Sequence, residues 1–283
     1  MPDNSISRRS ATRAHLHVSV FDILRPLFEQ RYLLQQLVQR EIYGKYRRSR
    51  YGLMWIFIQP LLLLAGYTLV FGVFLKARWG GAGTSSEFAL VLFSGLIFYN
   101  FFGEIISRSA GLIHSNAPFV KKMVFPLYIL NWSVAAAAAV HVAFSLCVWL
   151  VFSMFIHGGV PLTILWLPVI FVPFFLFSLG CSWLLSAYSV FHPDTEHVVP
   201  VCLLLLMFLS PLFYSVDSLP QKYRFVMGLN PLTYVFEEAR RVMISGNAPD
   251  FSVLGIGLIV GIGMAWLGLA SFKGNQENFA DAI

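Results

Sequence analysis

Charged side chains are scarce in this sequence. Only 12% of its 283 residues are Asp, Glu, Lys or Arg, against about 25% in a typical soluble domain. Hydrophobic residues make up 57% of the chain, which is more apolar surface than a water-soluble fold of this size could bury. The composition therefore excludes an ordinary soluble domain and indicates a protein of the membrane.

Cysteine and clustered metal ligands are scarce as well. Cys147, Cys181 and Cys202 lie far apart inside apolar runs, which predicts buried thiols and neither a disulfide framework nor a metal site. The one cluster of His and acidic residues, at 192–197 (HPDTEH), matches no zinc-ligand spacing. We expect a solvated connector there, and no metal in this chain.

A nucleotide-binding motif is missing too. Gly44-Lys45 does not belong to a P-loop, because the required glycine is absent five residues earlier and Tyr46 stands where Ser or Thr would bind magnesium. If this chain takes part in active transport, ATP must be hydrolysed on another chain. We expect no cofactor in this one.

Ionisable residues within the apolar runs are few. Glu104 and Arg108 are one helical turn apart, which favours an ion pair between them, and His141 lies deep in an apolar run. We interpret His141 as a packed, hydrogen-bonded histidine and leave a functional role open. So few buried charges argue against a proton-coupled carrier, and we expect no enzyme activity.

A distant alternative is an integral membrane enzyme of envelope glycan synthesis. Its candidate catalytic residues would be Glu104, His141, Asp194 and Glu196. These side chains are dispersed along the sequence, which makes a transport protein the better interpretation.

Long apolar runs are abundant. A membrane-crossing helix needs about 20 apolar residues, and six runs come close to this length. They are approximately 53–75, 88–107, 127–156, 162–190, 198–214 and 251–272. Residues 158–161 (GGVP) predict a tight turn between the third and fourth runs, and Gly257 with Gly261 predicts close helix approach. The sequence thus predicts an all-α integral membrane protein with six transmembrane helices.

Positive charge is unevenly distributed along the chain. Ten of the 20 Lys and Arg residues precede residue 51, which is typical of a cytoplasmic flank. Because six spans return the chain to the side on which it started, we predict that both termini are cytoplasmic.

Two further segments are neither spans nor ordinary loops. Residues 27–50 alternate apolar and polar positions at helical spacing, which predicts an amphipathic helix in the membrane interface. The alternative is a basic flank that only orients the first span. Residues 216–248 hold two semi-apolar pieces too short to cross, which predicts a re-entrant helical pair before the last span. The alternative is a partly structured external loop.

Several motifs follow one another in an order and spacing that resemble a known family. They are Arg40-Glu41, residues 46–52 (YRRSRYG) before Trp55, Gln59-Pro60, residues 116–126 (NAPFVKKMVFP), residues 210–214 (SPLFY), and residues 230–233 (NPLT) before Arg240-Arg241. With these motifs, over roughly residues 30–272, the chain resembles the membrane subunit of ABC-2 type polysaccharide exporters. That family moves lipid-linked O antigens, capsular polysaccharides and teichoic acids.

The resemblance implies an ABC-2 type transmembrane domain over residues 51–273, with cytoplasmic tails at 1–26 and 274–283. It implies a homodimer in the bacterial inner membrane, with a channel between the two subunits. Two copies of an ABC ATP-binding subunit would carry ATP and Mg. The expected substrate is a lipid-linked polysaccharide, most closely O antigen, with capsular polysaccharide and teichoic acid as alternatives. Nucleic acid is not an expected partner.

Three groups of residues receive expected roles. Aromatic faces suit sugar rings, and the aromatic residues expected to line the channel are Trp55, Phe57, Tyr67, Phe71, Phe208, Phe213 and Tyr214. The resemblance implies that ATPase coupling involves Arg40, Glu41, Arg108, Asn116, Lys121 and Lys122. It implies an outer gate formed by Tyr223, Arg224, Asn230, Pro231, Tyr234 and Arg240.

Overall fold

A computed structural model describes residues 19–47, 49–76, 85–121 and 125–283. Within these ranges the chain forms helices and no strand. In chain order the α-helices are α1 (Phe21–Phe28), α2 (Arg31–Tyr46), α3 (Trp55–Tyr67), α4 (Ser85–Ala110), α5 (Leu112–Ser115), α6 (Ala117–Val120), α7 (Ile129–His157), α8 (Leu167–Ser189), α9 (Thr195–Leu209), α10 (Gln221–Gly228), α11 (Pro231–Met243), α12 (Phe251–Asn275) and α13 (Phe279–Ala282). A π-helix, Thr68–Phe74, continues α3 directly.

Five helical segments among the described residues are long and apolar enough to cross a bilayer. They are Gly52–Phe74, Ser86–Ala110, Ile129–His157, Leu162–Ser189 and Phe251–Ala282. Each lies over one of the predicted spans, and the starts and ends agree within a few residues except at the end of the last segment. The apolar runs therefore predicted these five helices well.

The predicted span over 198–214 is shorter than expected. The helix there, α9, has 15 residues, about 22 Å at 1.5 Å per residue, whereas the hydrocarbon layer is about 30 Å thick. It ends at Leu209, and the backbone of the next residue, Ser210, is extended (φ −98°, ψ 150°). Pro211 explains this end, because a residue before proline is driven out of the helical region.

Helix α4 forms the centre of the fold and α3 lies at its edge. In the most apolar part of each span, 78% of the residues of α4 are buried inside the chain, compared with 22% of those of α3. Helix α4 contacts α7, α8, α9 and α11. The outward surface of α3 is therefore available to lipid or to another protein.

Helices α8 and α12 pack in direct backbone contact. A Cβ atom on Gly180 would collide with the backbone of Met264, and one on Gly261 would collide with the carbonyl of Pro173. The prediction that Gly261 allows close approach is confirmed. Gly257 leaves room for the aromatic ring of Tyr234, because a Cβ atom at position 257 would lie 3.0 Å from that ring.

The predicted turn after α7 is present. Gly158 ends α7 in the left-handed conformation at φ +71°, which costs glycine little. Residues 190–194 connect α8 to α9. The connector predicted over 192–197 is therefore shorter than expected, because residues 195–197 form the first turn of α9. The described residues contain no group of His, Cys, Asp or Glu side chains that could hold a metal ion.

Four expectations need correction. Residues 27–50 are not one helix, because α1 ends and α2 begins around Gln30. Residues 1–26 are not wholly a tail, since α1 begins at Phe21; residues 1–18 lie outside the described ranges. The C-terminal segment 274–283 is also not a loose tail, since it is helical almost throughout and Phe279 is fully buried. Cys147 and Cys202 are exposed on the surface of the chain rather than buried.

Candidate functional site

Two charged residues of α2 pair with two of α4. Arg108 contacts the carboxylate of Glu41, and Lys45 Nζ lies 2.9 Å from Glu104 Oε1. Within each helix the acid and the cation are four residues apart. The two helices pack so that the acid of each faces the cation of the other. The predicted Glu104–Arg108 pair is wrong, because Arg108 pairs with Glu41 instead. Only 7% of the Glu41 side chain is exposed, so its carboxylate needs this cation to compensate its charge.

His141 joins this set of charges from α7. Its Nδ1 lies 2.7 Å from Glu104 Oε2, and its Nε2 lies 3.5 Å from the hydroxyl of Tyr46. Both oxygens of Glu104 are therefore engaged, one by Lys45 and one by His141. This agrees with the interpretation of His141 as a packed, hydrogen-bonded histidine.

The segment after α4 binds the same face of α2. Arg40 donates to Asn116 Oδ1 at 2.9 Å, and its guanidinium lies 5.4 Å from the centre of the Phe119 ring, within the range of a cation–π contact. Asn116 in turn donates to the carbonyl of Leu112 at 2.9 Å. We call Arg40, Glu41, Lys45, Glu104, Arg108, Asn116 and His141 the polar junction.

Four of the six predicted coupling residues meet in the polar junction. Arg40, Glu41, Arg108 and Asn116 line one polar cavity of about 580 Å³, and Glu196 at the start of α9 lines it too. Lys121 is exposed at the end of α6 and does not line this cavity. Lys122 lies outside the described residues.

Four of the predicted channel aromatics form a continuous series of rings. The ring centres of Tyr67 and Phe71 are 6.2 Å apart, those of Phe71 and Phe213 are 5.7 Å apart, and those of Phe213 and Phe208 are 5.7 Å apart. These distances are typical of favourable aromatic pairs. We call Tyr67, Phe71, Phe213 and Phe208 the aromatic ladder.

The aromatic ladder joins two irregular pieces of backbone. Phe71 lies in the π-helix, a rare conformation that is frequent at functional sites, and Phe213 lies in the turn after α9. Tyr214 is next to the ladder, and its hydroxyl donates to the carbonyl of Phe208 at 3.4 Å. The irregular geometry sets the rings of the two segments against each other.

Trp55 and Phe57 lie apart from the aromatic ladder. Trp55 Nε1 donates to Ser49 Oγ at 2.7 Å, near the start of the first span. Phe57 makes an edge contact with Phe144 of α7, with ring centres 4.6 Å apart. The predicted aromatic set therefore divides into a contiguous group and two separate anchors.

The predicted outer-gate residues have different environments. Asn230 caps α11, since its Oδ1 accepts from the Leu232 amide at 3.0 Å, and its Nδ2 donates to Ser210 Oγ at 2.9 Å. Pro231 is the first residue of α11, where its missing N–H costs nothing. These contacts tie the start of α11 to the end of α9.

The other gate candidates divide into exposed and packed residues. Tyr223 is half exposed, and Arg224 donates to the carbonyl of Leu219 at 2.9 Å. Tyr234 packs its ring on Gly257.

Arg240 lies in the interior rather than at a rim. Its guanidinium donates to the carbonyls of Pro211 at 2.8 Å and Leu212 at 2.9 Å, and it lies 3.3 Å from Glu237. Burial lowers the pKa of Arg240 to about 10, and Glu237 opposes this shift, so the side chain stays charged at neutral pH. It satisfies backbone carbonyls that the early end of α9 leaves without helical partners.

Lys45 and Ser210 make contacts that the sequence analysis did not predict. A signal for Lys45 was present, because Glu41 and Lys45 are four residues apart just as Glu104 and Arg108 are. Which helix faces which is decided by tertiary packing, and spacing alone cannot give it.

Comparison with known proteins places this chain in a family. The model of the family described as "ABC-2 type transporter" matches residues 32–244. The O-antigen export system permease protein RfbA of Myxococcus xanthus is 26% identical over 263 residues, covering 92% of this chain and 99% of that protein. The protein of the same name from Klebsiella pneumoniae is 25% identical, covering 89% and 95%.

A relative with a different name is similar to the same extent. The polysialic acid transport protein KpsM of Escherichia coli is 25% identical over 259 residues, covering 88% of this chain and 95% of that protein. All three relatives are named as transport or export proteins. Since the family match also extends over most of the chain, this protein is a multi-pass membrane protein that belongs to the ABC-2 type transporter family.

Proposed function

We propose that this chain is the permease subunit of an ABC transporter that exports a lipid-linked cell-surface polysaccharide across the bacterial inner membrane. The aromatic ladder is the observation that carries this proposal. Its rings follow the first span over the π-helix and continue at the end of α9, and aromatic faces stack on the C–H faces of sugar rings. The relatives named for O-antigen and polysialic acid export support the same class of substrate.

A homodimer would complete the channel. Leu61, Leu62 and Phe74 on the outward side of the first span are 50%, 60% and 70% exposed. Phe208 of the aromatic ladder, on α9, is 59% exposed as well. A second copy facing α3 and α9 would cover this surface and enclose a path between two aromatic ladders.

The polar junction would receive force from a separate ATP-binding subunit. That partner carries the ATP and Mg, and two copies serve the dimer. Arg40 and Asn116 join α2 to the segment between α4 and α7, so movement of either one is transmitted to the other. Exposed Lys121 beside them is a contact point for an acidic surface of the partner.

Contacts within the chain support placing both termini on one side, which we assign to the cytoplasm. Lys273 near the end of α12 lies 3.0 Å from Asp22 of α1. Helix α1 is also held by Trp132 at the start of α7, whose Nε1 donates to the carbonyl of Ile23 at 3.0 Å. The N-terminal helices and the end of the last span are therefore neighbours.

We propose O antigen as the polymer, with capsular polysaccharide as the alternative. The experiment is a clean deletion of the gene in its host, with lipid extraction of the inner membrane. Accumulation of an undecaprenyl-linked polymer, reversed by the intact gene, is the expected result. Accumulation of phospholipid-linked polymer would assign capsule instead. Normal surface polysaccharide in the deletion strain would contradict the proposed function altogether.

A further inference from the structure

A second cavity lies on the face of α3 that leads to the aromatic ladder. It has a volume of about 190 Å³ and is enclosed by α2, α3, α4 and α7. Its lining residues on α3 are Ile56, Gln59, Pro60 and Leu63. Tyr67, the first ring of the aromatic ladder, follows Leu63 by four residues, so that one face of the helix carries both features.

Three polar side chains reach this cavity from three different spans. Gln59 comes from α3, Asn100 from α4 and Ser145 from α7. Gln59 and Asn100 are exposed, which places the opening of the cavity on their side. A polar group at membrane depth is costly unless it is hydrogen-bonded, so these three side chains call for water or a polar ligand.

The backbone of α3 lacks one helical hydrogen bond at the same place. Pro60 has no N–H, so the carbonyl of Ile56 loses its usual helical donor. Both residues line the cavity. Irregular backbone of this kind is tolerated within a membrane where it faces a polar cavity.

The charges at one end of the cavity compensate each other. The lining holds one lysine and one carboxylate, and Lys45 pairs with Glu104, which His141 also contacts. Uncompensated Lys or Arg donors favour phosphate binding, and this lining offers none beyond the paired Lys45. Amides, a hydroxyl and an engaged carboxylate suit a neutral ligand rich in hydroxyl groups. The volume equals roughly six water molecules at about 30 Å³ each, which is the scale of a single sugar ring.

We propose that this cavity is a binding subsite for one sugar unit of the exported glycan. Gln59, Asn100 and Ser145 hydrogen-bond its hydroxyl groups, and the ring then passes along α3 to the aromatic ladder. The polar subsite selects among sugars by their hydroxyl pattern, whereas the ladder accepts any ring. This inference rests on the proposed function, because it presupposes that a glycan passes through the chain.

Photo-cross-linking tests the subsite in intact cells. A benzophenone amino acid at position 59 should cross-link to the host's surface polymer, which periodate treatment of the gel-shifted product would reveal. Position 32, an exposed tyrosine on α2 (70%), should give no such product. A position-59 product that resists periodate and carries labelled lipid phosphate would overturn the proposal in favour of a phosphate or lipid site.

A near-isosteric substitution provides a second test. Asn100→Leu should lower polymer export about fivefold, the effect of losing one hydrogen bond to a ligand, with the amount of protein in the membrane unchanged. Asn275→Leu near the end of α12 is the matched control and should export normally. Normal export by Asn100→Leu, together with no cross-link at position 59, would overturn the subsite. If the deletion strain itself exports normally, the proposed function has failed instead.

Discussion

The polar junction and the aromatic ladder hold their parts of the chain by opposite means. In the polar junction each charged group has a named partner, and removal of one partner leaves the other charge poorly compensated. In the aromatic ladder the rings meet through shape and dispersion, which other apolar side chains partly reproduce. A charged contact therefore specifies which helices pack together, whereas a ring contact shapes the surface that those helices share.

The sharpest test of this difference is removal of one charge from the polar junction. Arg108→Ala leaves the Glu41 carboxylate with Arg40 as its remaining cation, at 3.3 Å. We expect the purified complex to lose about 2–3 kcal/mol of stability, less than for a fully buried pair because Arg108 is itself one-third exposed. Thermal unfolding in detergent measures this loss.

Two further variants separate pairing from packing. Glu41→Arg combined with Arg108→Glu restores opposite charges and should recover at least half of the lost stability. Arg31→Ala removes an exposed cation from the same helix and should change stability by less than about 0.5 kcal/mol. No recovery in the double variant would show that the Glu41–Arg108 pair is not the stabilising contact.

The stability contributed by the aromatic ladder should depend on side-chain shape more than on aromatic character. Phe71→Ala opens a gap between Tyr67 and Phe213, and we expect a loss of about 1–2 kcal/mol because the ring is only partly buried. Phe71→Leu should cost less than half as much. Polymer export, measured as surface polysaccharide per cell, should fall in both variants, because neither side chain offers an aromatic face to a sugar ring. Equal losses of stability for Leu and Ala would contradict packing by shape.

The smallest effect on stability is expected at the exposed Lys121 and its neighbour in sequence, Lys122. Charge reversal at Lys121 and Lys122 should leave thermal unfolding within about 0.5 kcal/mol of the parent, yet uncouple ATP hydrolysis from export in the complex. ATPase activity and export measured on the same preparation would show this. Unchanged export would move the partner contact to another surface.

The sequence predicted the elements of this fold better than their contacts. Five spans followed from apolar length, and the turn at Gly158 followed from local chemistry. The early end of α9 could also be predicted from Ser210-Pro211, because a proline drives the residue before it out of the helical region. The apolar run continues to residue 214, and a prediction from apolar length alone misses this end.

The candidate sites were harder to predict because they depend on which faces of distant helices meet. The pairing of Glu41 with Arg108 competes with two pairs inside single helices, and only the packing of α2 beside α4 decides between them. Arg240 looked like a gate residue in the sequence. Its burial follows from unsatisfied carbonyls 28 and 29 residues earlier, a need that no local pattern shows.

The glycine contacts between α8 and α12 have a consequence for movement. With backbone against backbone at Gly180 and Gly261, these two helices cannot slide or rotate past each other without a steric collision. They act as a fixed frame. In the proposed transport cycle, we expect the channel to open through movement of the first span, of which 22% is buried in its most apolar part, and of the short α9, while α8 and α12 keep their relative positions.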